Sequence, residues 1–173
     1  MTEVDDAVRY PIGNFTYDAD VDDARRRRAI EALRALPEQL ERALAGLTGE
    51  ALDRPYREGG WSARQLVHHI ADGHMNTFIR FKLTLTEDMP MVKPFDENTW
   101  ADTPDNRGPV QDSLAIIRGL HARWVRLLES FSPADFERTF MHPVSGLQTL
   151  DRWLQYMAWH GAHHATQIAN IAR

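Results

Sequence analysis

Cysteine is missing from all 173 residues of the chain. That excludes disulfide staples, thiolate metal sites, a cysteine nucleophile and redox sensing by the chain's own thiols. Long apolar runs are missing too. None approaches the roughly 20 residues that a membrane-spanning helix needs, so no membrane partner is expected. The opening stretch from Met1 to Asp6 has neither the basic start nor the apolar core of a secretion signal, and the expected location is cytoplasmic. Excess positive charge is also absent. A formal charge of −5 gives no electrostatic reason to expect nucleic acid as a partner. The run Arg25 to Arg28 sits among Asp18, Asp20, Asp22, Asp23 and Glu31, and reads as a solvated helix face.

Several catalytic signatures are lacking as well. No glutamate stands in an HExxH pattern between paired histidines, so a metalloprotease of that type is excluded. No glycine-rich phosphate loop follows a strand, and no ExxH pairs lie on two helices, which argues against nucleotide-binding and di-iron carboxylate folds.

What remains is ordinary globular composition with helical periodicity. At 43% hydrophobic and 26% charged residues, the chain has material for a packed core. Its length suits a single domain, 1–173, with residues 1–18 as an irregular arm carrying Tyr10, Ile12, Phe15 and Tyr17. Ile30, Leu33, Leu36, Leu40, Leu44 and Leu47 recur at spacings of three and four and predict a first long helix. Pro37 is expected to kink or split it near Leu36. Ser62 and Gln65 form a capping box that opens a second helix, running to about Thr86. The stretch Met89 to Pro109 contains Pro90, Pro94, Pro104, Gly108 and Pro109 and reads as a long ordered loop. Its Phe95 and Trp100, with the apolar residues of the arm, are expected to be buried over a site or against a second copy of the chain. A third helix covers roughly Val110 to Ser130, with Leu114, Ile117, Leu120, Trp124, Leu127 and Phe131 on one face. Ser132-Pro133 opens a short turn of helix, His142 to Gly146 reads as a turn or small hairpin, and Thr149 can cap a final helix. Four long helices with almost no strand signal predict an all-α four-helix bundle.

Six of the eight histidines fall in two short segments, His68 to His74 and His160 to His164. His160 and His164 lie one turn apart on a stripe that continues through Trp153, Met157, Ile168 and Ile171, so both rings point inward. Two buried imidazoles need a shared partner, and a divalent metal ion is the natural one. His69 shares a face with Leu66 and Gly73 and is the expected third ligand. His68, rotated by about 100°, falls with Gln65, Asp72 and Met75 on a wetter side. His74 lies near the same face as Ile70 and stands outside the ligand set; His121, His142 and His163 read as surface or turn residues.

At these residues the sequence resembles the DinB-like superfamily, and within it the YfiT-type metal-dependent hydrolases and bacillithiol transferases. The resemblance rests on Tyr10 to Gly13, Pro55 to Ser62, Arg64 to Asp72, His74 to Asn76, Arg80 to Leu83, Trp159-His160 and His163-His164. It implies an up-down-down-up bundle, a homodimer, and zinc or nickel held by His69, His160 and His164. Three histidine ligands leave a coordination position open for water or a thiol. The superfamily resemblance favours transfer of a low-molecular-weight thiol, bacillithiol-like, onto an electrophile. A hydrolase using a metal-activated water is the alternative, and a non-catalytic metal or small-molecule binding protein is a second. Arg80, Asn76 and Lys82 could orient an anionic thiol cofactor, and no other catalytic residue stands out.

Overall fold

The structure, a computed structural model, describes residues 3–171. Residues 1–2 and 172–173, at the two ends of the expected single domain, lie outside the described residues. Helices α1 (Glu3–Arg9), α2 (Asp23–Leu44), α3 (Ala63–Thr86), α4 (Glu97–Ala101), α5 (Val110–Glu129) and α6 (Pro133–Glu137) precede a hairpin of β1 (Thr139–His142) and β2 (Gly146–Thr149), and α7 (Leu150–Ile171) closes the chain. Four long helices, α2, α3, α5 and α7, make the expected bundle.

Their directions follow from which residues meet. Leu36 of α2 packs on Gly161 of α7, and Arg26 pairs with Asp151, so these two helices run parallel. His68 meets Ser113 and His74 meets His121, so α3 and α5 are parallel too. His69 faces His160 while Thr77 faces Met157, which sets α3 antiparallel to α7. Leu33 meets His121 and Glu41 pairs with Arg118, so α2 opposes α5. The result is up-down-down-up, with neighbours in the ring order α2, α7, α3, α5 and with the α2 to α3 and α5 to α7 connections both crossing the bundle's diagonals.

The core has two apolar halves. One gathers Leu36, Leu40, Leu66, Ile70, Ile117 and Ile168; the other gathers Leu33, Phe81, Trp124, Leu128, Phe140 and Leu154. Between them each of α3, α5 and α7 contributes histidines, so a band of imidazoles crosses the bundle's middle. This layering positions the site.

Three expectations about local structure are corrected. The arm is not irregular throughout, because residues 3–9 form α1. It is fixed along α7: the Arg9 carbonyl accepts from Gln167, the Gly13 carbonyl from Trp159, and the Asp18 carbonyl from Gln155. Pro37 does not split α2, which runs uninterrupted from Asp23 to Leu44. Its missing N–H would have bonded the Leu33 carbonyl, and His121 Nδ1 takes that carbonyl instead at 2.5 Å. The face of α5 is corrected in part: Ile117 and Trp124 are buried as read, but Ser113, His121 and Leu128 complete the face, whereas Leu114, Leu120 and Leu127 are only partly buried.

The long loop is ordered as expected, and holds α4 and a 3₁₀ turn at Pro104–Arg107. Val92 donates to the Met141 carbonyl and Met141 donates to the Pro90 carbonyl, which ties the loop beside β1, and Arg80 holds the Lys93 carbonyl at 3.0 Å. The capping box of α3 is present as read, with Ser62 and Gln65 bonding reciprocally. Burial of the aromatic residues is incomplete, since Trp100 is 39% and Ile12 43% exposed.

Gly161 lets α7 approach α2. A Cβ there would lie 2.5, 3.1 and 3.3 Å from three side-chain carbons of Leu36, so no single methyl rotation clears it. Gly161→Ala gains about 1 kcal/mol of helix propensity, yet overpacking costs about 1–3 kcal/mol. The expected outcome is net destabilisation of about 1 kcal/mol in urea unfolding; a stabilised variant would contradict the close approach.

Candidate metal centre

Helix α7 presents His160 and His164 one turn apart, and the antiparallel α3 brings His69 opposite them. One ring nitrogen of each lies within 4.8 Å of the others, and no carboxylate among the described residues joins the group. His69 Nε2 and His160 Nε2 are 3.0 Å apart. A tetrahedral ion with bonds of about 2.0 Å sets its ligand nitrogens roughly 3.3 Å apart, so small side-chain movements would close the three rings on an ion.

The chemistry of the rings suits a ligand role. His69 and His160 are buried and His164 partly so. Desolvation pushes His69 down to about 4 and holds His160 and His164 well below the usual imidazole range, with neighbouring rings adding to the effect. All three are therefore neutral at pH 7, the form that binds metal. Gln167 fixes His164. Its Nε2 donates to the Arg9 carbonyl at 2.8 Å, which turns Oε1 toward His164 Nδ1 at 2.7 Å. A carbonyl oxygen only accepts, so His164 carries its proton on Nδ1 and keeps the Nε2 lone pair free. Spacing from His164 (i, i+3) was the only sequence signal for Gln167, and it is generic.

Of the remaining histidines, His68, His121 and His163 differ from expectation. His68 is not on a wet side; it is buried and bonds Ser113 Oγ at 2.7 Å. His74 and His121 are buried behind the triad, and His74 Nε2 lies 3.3 Å from His160 Nδ1. His163 is buried between Tyr10 and the Trp159 indole. His142 stands at the end of β1, partly exposed, with its ring 5.7 Å from that of Trp153.

Two chambers open on the triad. The first, about 330 Å³, is lined by Arg9, Tyr10, Tyr56, Arg57, Trp61 and His164; the second, about 430 Å³, by Phe15, Arg80, Phe95, His142, Trp153 and Met157. His69, His160, Tyr156 and Glu97 line both. Of the residues proposed from sequence to orient a substrate, Arg80 reaches the second chamber. Asn76 lies outside both and donates to the carbonyl of Asp72 in its own helix, and Lys82 is exposed.

A family model for the DinB superfamily matches residues 23–168. The chain belongs to the DinB superfamily. It is 47% identical to a Bacillus mycoides member over 95% of each chain, and 42% identical to one from Oceanobacillus iheyensis over 95% of this chain and 96% of that one. Both carry the name "Putative metal-dependent hydrolase". The solved structure of YfiT from Bacillus subtilis, described as a probable metal-dependent hydrolase with an unusual four-helix bundle topology, superposes with a TM-score of 0.93 at 38% identity, covering 96% of this chain and 97% of that one.

Buried neutral histidines make stability depend on pH. His69 and His121 have folded values of about 4 against an unfolded value near 6.5. Between those values the unfolded chain binds more protons, so stability is full above about pH 6.5 and lost as pH falls toward 4. The metal-free protein is expected to lose up to about 1.4 kcal/mol per pH unit for each such histidine. Urea midpoints at pH 7 and pH 5 check this, and equal midpoints would contradict it.

Proposed function

We propose that this DinB superfamily member is a metal-dependent hydrolase, with His69, His160 and His164 holding one divalent ion, zinc or nickel. The observation that carries the reading is the position of three neutral imidazoles, with no carboxylate among them, at the junction of two chambers. An ion so held keeps most of its charge for an open position, and supplies a Lewis acid that activates a nucleophile near neutral pH. The names of the relatives support hydrolysis over the transfer reaction.

The chain's own groups supply the rest. Arg80 is buried, forms no ion pair among those of the described residues, and donates to the Lys93 carbonyl from the wall of the second chamber. Its guanidinium lies over the Trp153 ring at 5.7 Å, in a chamber wall that also holds Phe15, Phe95 and Met157. That arrangement suits a substrate with an anionic end and an apolar body. Tyr156 is kept protonated by burial and stands at the seam of the chambers, placed to donate to a leaving group. Glu97, also at the seam, is placed to accept a proton.

One observation favours a second reading. Two chambers meeting at a single triad provide separate seats for two reactants, as thiol transfer requires; Arg9 and Arg57 in the first would receive an anionic, bacillithiol-like thiol. A homodimer remains part of this proposal on the strength of the resemblance alone; a cytoplasmic location remains an expectation from the sequence.

The test is direct. Metal-loaded protein is assayed against a panel of aryl esters and amides, and separately with a thiol and an electrophile. Hydrolysis is expected, lost to background in His164→Ala. Arg80→Gln is expected to raise KM for anionic esters roughly tenfold or more while leaving neutral ones little changed. Thiol conjugation without hydrolysis would overturn the first reading in favour of the second, and neither activity would overturn both.

A further inference from the structure

His160 stands at one end of a line of side chains whose other end is on backbone. From Leu33 the order is the carbonyl oxygen, His121 Nδ1 at 2.5 Å, His121 Nε2 to His74 Nδ1 at 2.9 Å, and His74 Nε2 to His160 Nδ1 at 3.3 Å. His74 and His121 are 0% and 1% exposed and are packed around the Trp124 ring. Neither is in the triad, and no acidic group meets either of them by hydrogen bond or ion pair among the described residues. Buried without a counter-charge, both rings are neutral, so each has one donor and one acceptor nitrogen.

The direction of every bond then follows from the first. A carbonyl oxygen can only accept, so His121 carries its proton on Nδ1 and its Nε2 accepts. His74 must donate to it from Nδ1, which leaves His74 Nε2 as acceptor. His160 must donate from Nδ1, which leaves the lone pair on Nε2, the atom that faces His69. We infer that His74 and His121 are positioning residues that lock His160 in its Nδ1–H tautomer, so that its Nε2 lone pair is aimed into the triad before any ion arrives. The anchor has a covalent origin. Pro37 lacks the N–H that would bond the Leu33 carbonyl within α2, and so leaves that oxygen to His121.

The lock has a second consequence for the metal-free protein. The 3.0 Å contact between His160 Nε2 and His69 Nε2 needs one donor. With His160 fixed as acceptor, His69 must hold its proton on Nε2. Of the three rings in the triad, His69 is thus the one whose proton must relocate to Nδ1 when Nε2 takes an ion. The atoms balance, because one proton moves within one ring and its bond to His160 is lost.

This inference rests on the proposed triad, and its first test needs neither metal nor turnover. Two-bond proton–nitrogen NMR of metal-free protein with ¹⁵N-labelled histidine, at pH 7.5, reads each tautomer directly. Nδ1–H is expected for His121, His74 and His160, and Nε2–H for His69. His160 found as the Nε2–H form or as imidazolium would overturn the lock, whatever the triad binds. The second test uses His121→Phe, which removes the anchor but keeps a ring, beside His121→Gln, whose side-chain oxygen can still accept from His74. Cobalt(II) titration followed by visible absorption is expected to show affinity about 10–100-fold weaker in the Phe variant, the range found when groups behind metal ligands are removed. His160 should shift toward Nε2–H in that variant, while the Gln variant stays near the unaltered protein in both readouts. A folded His121→Phe protein with unchanged tautomer and affinity would refute the relay. If no variant, nor the unaltered chain, binds cobalt while the tautomers read as expected, the triad's metal role fails and the lock stands.

Discussion

A buried imidazole has two nitrogens, and leaving either without a partner costs free energy. Five rings lie under that constraint between two apolar half-cores, and His74, His121 and His160 meet it with partners on both nitrogens. His69, His74, His121, His160 and His164 are all displaced downward from the usual imidazole range, with desolvation the leading cause each time. Neutral rings are obliged to point a lone pair somewhere. The relay from Leu33 through His121 and His74 to His160 Nδ1, and the bond from His164 Nδ1 to Gln167, leave the Nε2 atoms of His160 and His164 for the triad. The topology serves this: α3 must oppose α7 for His69 to meet His160, and α2 must oppose α5 for Leu33 to meet His121. Up-down-down-up, with its two diagonal connections, satisfies both at once.

The segments outside the four helices complete the arrangement. The arm lies along α7, and through Gln167 its Arg9 carbonyl controls a nitrogen of the triad. Phe15 packs edge-on against Tyr156 with ring centres 5.2 Å apart, and Phe95 sits 4.6 Å from Trp100, so arm and loop wall the second chamber from two sides. The loop is held by Arg80, whose remaining donors are available on the chamber side. Order in these segments therefore comes from bonds to the helices more than from burial, which explains why Trp100 and Ile12 stay substantially exposed.

Much of this was legible in the sequence because it is local. The capping box at Ser62 and Gln65, the Ser132-Pro133 turn, the hairpin at His142 to Gly146 and the i, i+4 pair His160 and His164 each rest on neighbours within a turn. His69 followed from helical phase against Leu66 and Gly73. What escaped is non-local. On α5 two stripes a residue apart compete, and counting leucines favoured Leu114, Leu120 and Leu127 over the buried stripe that contains His121. A histidine counts as polar in such a reading, although its neighbours Ile117 and Trp124 share its face. His68 was misjudged for the same reason, since its partner Ser113 stands on α5. Pro37 reads as a breaker from its own helix, and only the His121 ring, on a distant segment, shows where the freed carbonyl goes.

The central claim is that three particular histidines, and not their neighbours, hold one ion per chain. Elemental analysis of the purified protein and its single alanine variants addresses it without reference to any substrate. About one divalent ion per chain is expected in the unaltered protein, in His68→Ala and in His163→Ala, and close to none in His69→Ala, His160→Ala or His164→Ala. A His69→Ala protein that stays fully loaded, or a His68→Ala protein that comes out empty, would contradict the account.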